Sequence, residues 1–198
     1  MNKKSMILYS LFMLSSCSVN PELYKSTNSS LSFSNYFKGK LCAWGTVKDR
    51  SMQVTRKFVA NIDASQNDSK IVLNEQFNFS DGEQQTRVWE FIENNNQIIG
   101  TAGDVVGKAQ GEIYGDSLHL TYILDIPQED GSIQVNMDDW LHLIDANTLM
   151  GSTKMTKWGF YVGQIDIVIQ KRAISSDCFA GLLTGTEKRH SGESNAAI

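Results

Sequence analysis

The 198-residue chain carries 18 basic and 22 acidic side chains, a formal charge of -4, and 41% apolar residues. That length and apolar share suit one domain with its own core, and the composition is not that of a disordered chain. The mild acidity argues against the basic face a nucleic-acid binder would show, so no nucleic-acid partner is expected.

Residues 1–16 stand apart from the rest. Asn2-Lys3-Lys4 gives a positive start and Met6 to Leu14 a short apolar run. The run is too short to span a bilayer as a helix and has the form of a secretory signal. Leu14-Ser15-Ser16-Cys17 follows directly. This resembles the lipobox of bacterial lipoproteins, where small residues ahead of a cysteine admit a dedicated peptidase and the thiol takes a diacylglyceryl group. The resemblance implies removal of residues 1–16, lipidation of Cys17 and membrane tethering through acyl chains, of which two or more hold stably. An ordinary signal peptide with an incidental cysteine is the alternative. Ser18 stands where Asp would mark inner-membrane retention, so the expected location is the periplasmic face of the outer membrane. Residues 17–34, the lipidated cysteine and a Ser-, Asn- and Thr-rich stretch with Pro21, read as a flexible tether.

From residue 35 to 172 period-two runs recur, broken by Gly, Asn and Asp. The pattern predicts strands over 36–48, 53–63, 70–79, 85–93, 97–102, 108–114, 117–126, 133–144, 148–157 and 160–171. No long stretch has a helical period. About eight to ten antiparallel strands in one domain imply an all-β barrel or sandwich, since an open sheet of that size leaves exposed edges. Short loops favour the up-and-down barrel. Residues 173–198 have weak pattern and a polar end, and read as a mobile tail.

Parity predicts which side chains face inward. Leu73, Phe77 and Phe79 share a face with Glu75, and Trp89 and Phe91 share one with Arg87. A three-residue loop at Asp81-Gly82-Glu83 sets Phe77 opposite Arg87, Glu75 opposite Trp89 and Leu73 opposite Phe91, leaving Glu75 and Arg87 diagonal neighbours among aromatics. In the second long hairpin Leu118, Leu120, Tyr122, Leu124 and Ile126 meet Ile133, Val135, Met137, Leu141 and Leu143 across a six-residue loop. That register places Asp139 opposite Leu120 on the apolar side. Charges in such places are rare unless paired. Glu75 and Arg87 therefore read as a buried pair closing the core, or, with Asp139, Trp89 and Tyr122, as contacts for the polar head of a ligand.

With Cys17 acylated, Cys42 and Cys178 remain in an oxidising compartment where a disulfide is allowed. First and last strands of a closed barrel are neighbours, which makes the bridge geometrically possible. Cys178 lies in the irregular tail, so bridged and free states both stay open. No metal site is expected, because His119, His142 and His190 are scattered and no Cys/His pair has ligand spacing. Gly100, Gly103, Gly107, Gly111 and Gly115 do not form a phosphate loop, since Gly107-Lys108 lacks a following Ser or Thr and a helix. They read as kinks in a coiled strand pair.

Several motifs occur together: Tyr36-Phe37-x-Gly39, Glu75-x-Phe77, Asp81-Gly82, Arg87-x-Trp89, Gly100-x-Ala102-x-Asp104-x-x-Gly107-x-Ala109-x-Gly111, Asp138-Asp139-Trp140 and Met155-x-Lys157-x-Gly159. In these the chain resembles the DUF3833 family of bacterial lipoproteins over roughly residues 35–172. The resemblance implies a calycin-like barrel, the lipocalin architecture, and brings no catalytic or binding residues with it. Its members' proximity to genes for enzymes that modify membrane fatty acids tilts the expected ligand towards lipid. Lipocalins pack an early Trp under a basic residue of the last strand; Trp44 with Lys171 or Arg172 are the barrel-closing candidates here. The Gly-x-Trp order of true lipocalins is absent, since Gly45 follows Trp44.

Enzyme signatures are scarce: there is no Gly-x-Ser-x-Gly elbow and no cysteine nucleophile with a histidine partner. Asp138 and Asp139 are adjacent on a strand and point to opposite faces. The expected protein is a non-enzymatic, membrane-tethered barrel that needs no cofactor and binds a lipid, a fatty acid or a similar apolar molecule. A filled-core envelope module docking through Trp140 or Trp158 is the alternative, favoured by the bulk of Phe77, Phe79, Trp89, Phe91 and Tyr122. A lipid-modifying enzyme using Glu75, Arg87 or Asp139 is the third reading.

Overall fold

A computed structural model describes residues 19–25, 30–171 and 178–179. Residues 1–18, which include the expected signal and Cys17, lie outside them, as do Arg172 and the remainder of the tail. Ten strands form: β1 (Gly39–Asp49), β2 (Val54–Asn67), β3 (Lys70–Phe79), β4 (Gln84–Asn94), β5 (Gln97–Ala102), β6 (Ala109–Tyr114), β7 (Ser117–Gln128), β8 (Gly131–Asp145), β9 (Thr148–Lys157) and β10 (Phe160–Lys171). Each pairs antiparallel with the next, and β1 pairs with β10, so the sheet closes into an up-and-down barrel. Closure removes the edges that such a sheet would otherwise expose.

Alternation decides the wall. On β3 the inward residues are Ile71, Leu73, Glu75, Phe77 and Phe79; their outward neighbours are mostly polar. The β7–β8 register places Leu120 opposite Asp139, as the sequence pattern predicts, although pairing continues to Gln128–Gly131 and leaves a two-residue turn where six residues are predicted. The β3–β4 register differs from the prediction by two residues. Glu75 faces Arg87 directly, Leu73 faces Trp89 and Phe77 faces Gln85. The cause is Gly82, which has φ +90°. Three-residue hairpin loops place their left-handed residue last, so the loop is 80–82, closed by the bond from Phe79 N to Glu83 O at 2.9 Å.

One barrel end is plugged by chain that sequence reasoning assigns to the tether. Leu31 and Phe33 are buried, and a single turn of helix, α1 (Phe33–Tyr36), lies across the end with Tyr36 and Phe37 also buried. The Phe33 ring meets Phe91 at 4.9 Å and Phe37 at 4.5 Å between centroids. Glu93 fixes the turn by accepting from Phe33 N at 3.1 Å and Ser34 N at 3.0 Å. The Tyr36 hydroxyl lies 2.8 Å from Ile169 O and 2.9 Å from Asn147 O. Burial raises its pKa, and Lys171 Nζ sits 4.8 Å from its ring centroid. A cation–π contact therefore does form at the end of β10, but on Tyr36. Trp44 cannot take that part: the inward phase of β1 is Leu41, Ala43, Gly45 and Val47, which turns Trp44 to the outer wall.

Cys42 shares that outer face and is joined to Cys178 by a disulfide, with Cα atoms 5.5 Å apart. Cys178 N also donates to Asn61 Oδ1 at 3.1 Å, so the tail is fastened to the wall at this point.

Candidate functional site

The bulky inward residues do not fill the barrel. A cavity of about 320 Å³ remains between the α1 plug and the opposite end, at the lower edge of the roughly 300–1,000 Å³ range for small-molecule sites. Its wall is apolar, with Trp89 stacked on Phe91 (centroids 4.9 Å) and set edge-on to Tyr122 (5.4 Å). Space is kept by five glycines, of which Gly100 and Gly111 are among those the sequence pattern reads as kinks. Gly45, Gly100, Gly111, Gly151 and Gly163 stand directly opposite Phe58, Phe91, Leu120, Leu141 and Met155 on the neighbouring strand. A Cβ at Gly100 would lie 2.4 Å from the Phe91 ring, and one at Gly45 2.2 Å from the Phe58 ring. The large side chains thus lie over bare backbone.

Polar groups meet midway along this apolar wall. Glu75 on β3 faces Arg87 on β4. The partner that closes on Arg87 is Asp104, which sequence reasoning missed as a ligand of the arginine. Arg87 Nε lies 2.9 and 3.1 Å from its two oxygens, and Nη2 lies 2.7 Å from Oδ2. Asp104 belongs to the loop after β5, and the loop is drawn against β7 by a bridge between Val105 and Leu124 and by Asp125 N donating to Asp104 O at 2.8 Å. Asp139 on β8 lies across the cavity beside Tyr122 and is paired in register with Thr153 of β9. Its Oδ1 is buried without a hydrogen-bond partner.

Burial pushes the Glu75 carboxyl up to about 7, against the pull of Arg87 and with Asp104 adding to the rise. Burial pushes Asp139 to about 7 as well, with Thr153, Tyr122 and Arg87 restraining the shift and Asp138 adding to it. Tyr122 is raised well above its ordinary value, first by burial and then by Asp139. A carboxyl whose pKa rises on folding binds protons in the folded state. The contribution of these two groups to stability is full below about pH 4, is lost as pH climbs to about 7, and levels beyond. Replacing Asp139 with Asn is expected to stabilise the barrel by about 2 kcal/mol at pH 8, allowing for screening by cavity water, and by less at pH 5. Urea unfolding at the two pH values checks this; an equal gain at both would contradict it.

Arg87→Met leaves Glu75 and Asp104 without their counter-charge. The expected loss is about 2 kcal/mol at pH 8, below the 3–5 kcal/mol of a fully buried pair because the Asp104 side chain is 35% exposed. The loss should shrink at pH 5, where Glu75 takes a proton, and urea unfolding again reads it.

The other candidates sit apart from the cavity. Trp140 faces outward but is covered, stacked on His119 at 4.4 Å and touched by Tyr24 at 5.5 Å; Trp158 is 84% exposed. Among the described residues no group of three His, Cys, Asp or Glu side chains is placed to hold a metal. Cys17, the expected lipidation position, lies outside the described residues.

The barrel is similar in fold to the S-type phycobiliprotein lyase CPES from Guillardia theta, with a TM-score of 0.54 at 9% identity, covering 73% of this chain and 92% of that one. It is similar to the same degree (TM-score 0.54, 10% identity) to a DUF3598-family protein of unknown function from Nostoc punctiforme PCC 73102, covering 72% of this chain and 50% of that one. At such identities the likeness is one of fold, and it agrees with a calycin-like barrel. No curated protein matches the chain. The DUF3833 family, described as a protein of unknown function, matches residues 11–171, and the chain belongs to that family.

Proposed function

We propose that the protein is a non-enzymatic binding barrel of the bacterial envelope, held on the outer membrane through lipidated Cys17, that carries a small apolar molecule such as a lipid in its lumen. The observation that supports this reading is the cavity of about 320 Å³, kept open among large aromatic side chains and equipped with polar groups midway along it. A protein built only for a solid core has no use for such a space, since close packing is the default of protein interiors.

Catalysis fits less well. Arg87 is engaged by Asp104, and no serine, threonine or cysteine nucleophile with a histidine base lines the cavity among the described residues. Docking through the outer wall is the second reading, favoured by Trp158 and Phe160, 84% and 74% exposed at the β9–β10 turn.

The test uses the chain from residue 18 onward, which contains every described residue, exported behind a conventional cleavable signal so that no acyl chain is added. Native mass spectrometry followed by solvent extraction is expected to find a stoichiometric apolar ligand. A clean ligand-free mass, with no uptake of the neutral dye Nile red, would turn attention to Trp158 and a protein partner.

A further inference from the structure

The charges around the cavity are unbalanced. Arg56 and Arg87 line it, against Glu75, Asp104, Asp125 and Asp139. Neither arginine is held open for an incoming anion. Arg56 Nη2 donates to Glu83 Oε2 at 2.6 Å and to Asp81 Oδ1 at 3.0 Å, its buried Nε makes no hydrogen bond but is ion-paired with Asp81 Oδ2 at 2.6 Å, and its guanidinium covers the Phe79 ring at 3.8 Å from the centroid. Arg87 is bound along one edge by Asp104 and opposed across the strand pair by Glu75.

Among the carboxyls around the cavity, Asp139 is the one with a buried oxygen that lacks a donor. It sits on the apolar side of β8, opposite Leu120, and Oδ1 has no donor. A buried acceptor without a donor is costly, and a carboxylate brought up to it would add repulsion to that cost. A hydroxyl or ammonium group would instead donate to it. We propose that the cavity takes an amphiphile whose polar head is a hydrogen-bond donor, an amine or a hydroxyl seated on Asp139, and that it discriminates against anionic fatty acids. This rests on the lumen being the binding site, and it narrows the lipid and fatty-acid expectation to lipids without an acidic head.

The experiment displaces Nile red from the unacylated chain beginning at residue 18, using decylamine, decanol and decanoate at pH 7.5. These share chain length and differ in head group. Decylamine and decanol are expected to displace the dye at concentrations about tenfold below decanoate. Asp139→Asn should weaken decylamine about tenfold with a urea unfolding midpoint no lower than the parent's, which separates the effect from misfolding. Decylamine should also bind more tightly at pH 8.5 than at pH 6, and decanoate less tightly. Decanoate binding as well as decylamine, or an Asp139→Asn variant with undiminished amine affinity, overturns the proposal while leaving the lumen a binding site. Failure of the dye and all three amphiphiles to bind overturns both.

Discussion

Replacing Phe33 with alanine is expected to lower the unfolding free energy by about 3–5 kcal/mol, the range for a large aromatic removed from a packed site. The residue is 2% exposed, and its ring packs against both Phe91 in the wall and Phe37 in the plug. The substitution also removes the floor of the cavity, which Phe33 lines. Nile red binding should therefore change together with stability. Urea unfolding of Phe33→Ala beside Ser34→Ala separates docking from composition, since Ser34 supplies the neighbouring backbone bond without a buried ring. A Phe33 variant as stable as the parent would mean that residues 30–34 belong to the tether, as the sequence pattern suggests.

The second large effect concerns the disulfide. Cys42 and Cys178 are separated by 136 residues, and cross-linking a loop of that size removes about 5 kcal/mol of unfolded-chain entropy in the simplest treatment. Part of this is returned when the bridge is absent, because the tail regains its own freedom. The expected cost of Cys42→Ala is thus about 2–4 kcal/mol. Cys178→Ala should cost nearly the same, and the double variant little more than either. The parent protein under reducing conditions should match all three. Additive losses in the double variant would show that each cysteine acts through packing and not through the bond between them.

All ten strands were legible because a closed wall imposes strict alternation, and alternation survives without any knowledge of neighbours. The inward face of Glu75, Arg87, Tyr122 and Asp139 followed from the same parity. Three things did not follow. The β3–β4 register hinged on which loop position Gly82 occupies, and a shift of two residues preserves parity while changing every partner. The plug was hidden because four helical residues are too few to display a period, and Leu31 and Phe33 are interleaved with serines. Asp104 falls opposite Arg87 when the β4–β5 register, which pairs Trp89 with Ala102, is carried two residues further, but the strand pattern stops at residue 102 and so leaves Asp104 in a loop. Trp44 misled for a plainer reason: its inward neighbours are Ala43 and Gly45, so the largest residue of the segment is the one turned outward.

The five glycine pairings carry a consequence for how such a protein changes over time. Each inward glycine lets a neighbouring side chain lie flat, so the thickness of the wall, and with it the bore, is set residue by residue at Gly45, Gly100, Gly111, Gly151 and Gly163. At Gly100 and Gly111 a methyl meets the opposing Phe91 or Leu120 side chain first and stands it up into the lumen, whereas at Gly45, Gly151 and Gly163 it also meets a backbone carbonyl at 2.4–2.7 Å and the strand itself must move. Descendants of this barrel can therefore trim their interior in one-residue steps at Gly100 and Gly111, while the other three glycines are held by the closeness of the strands.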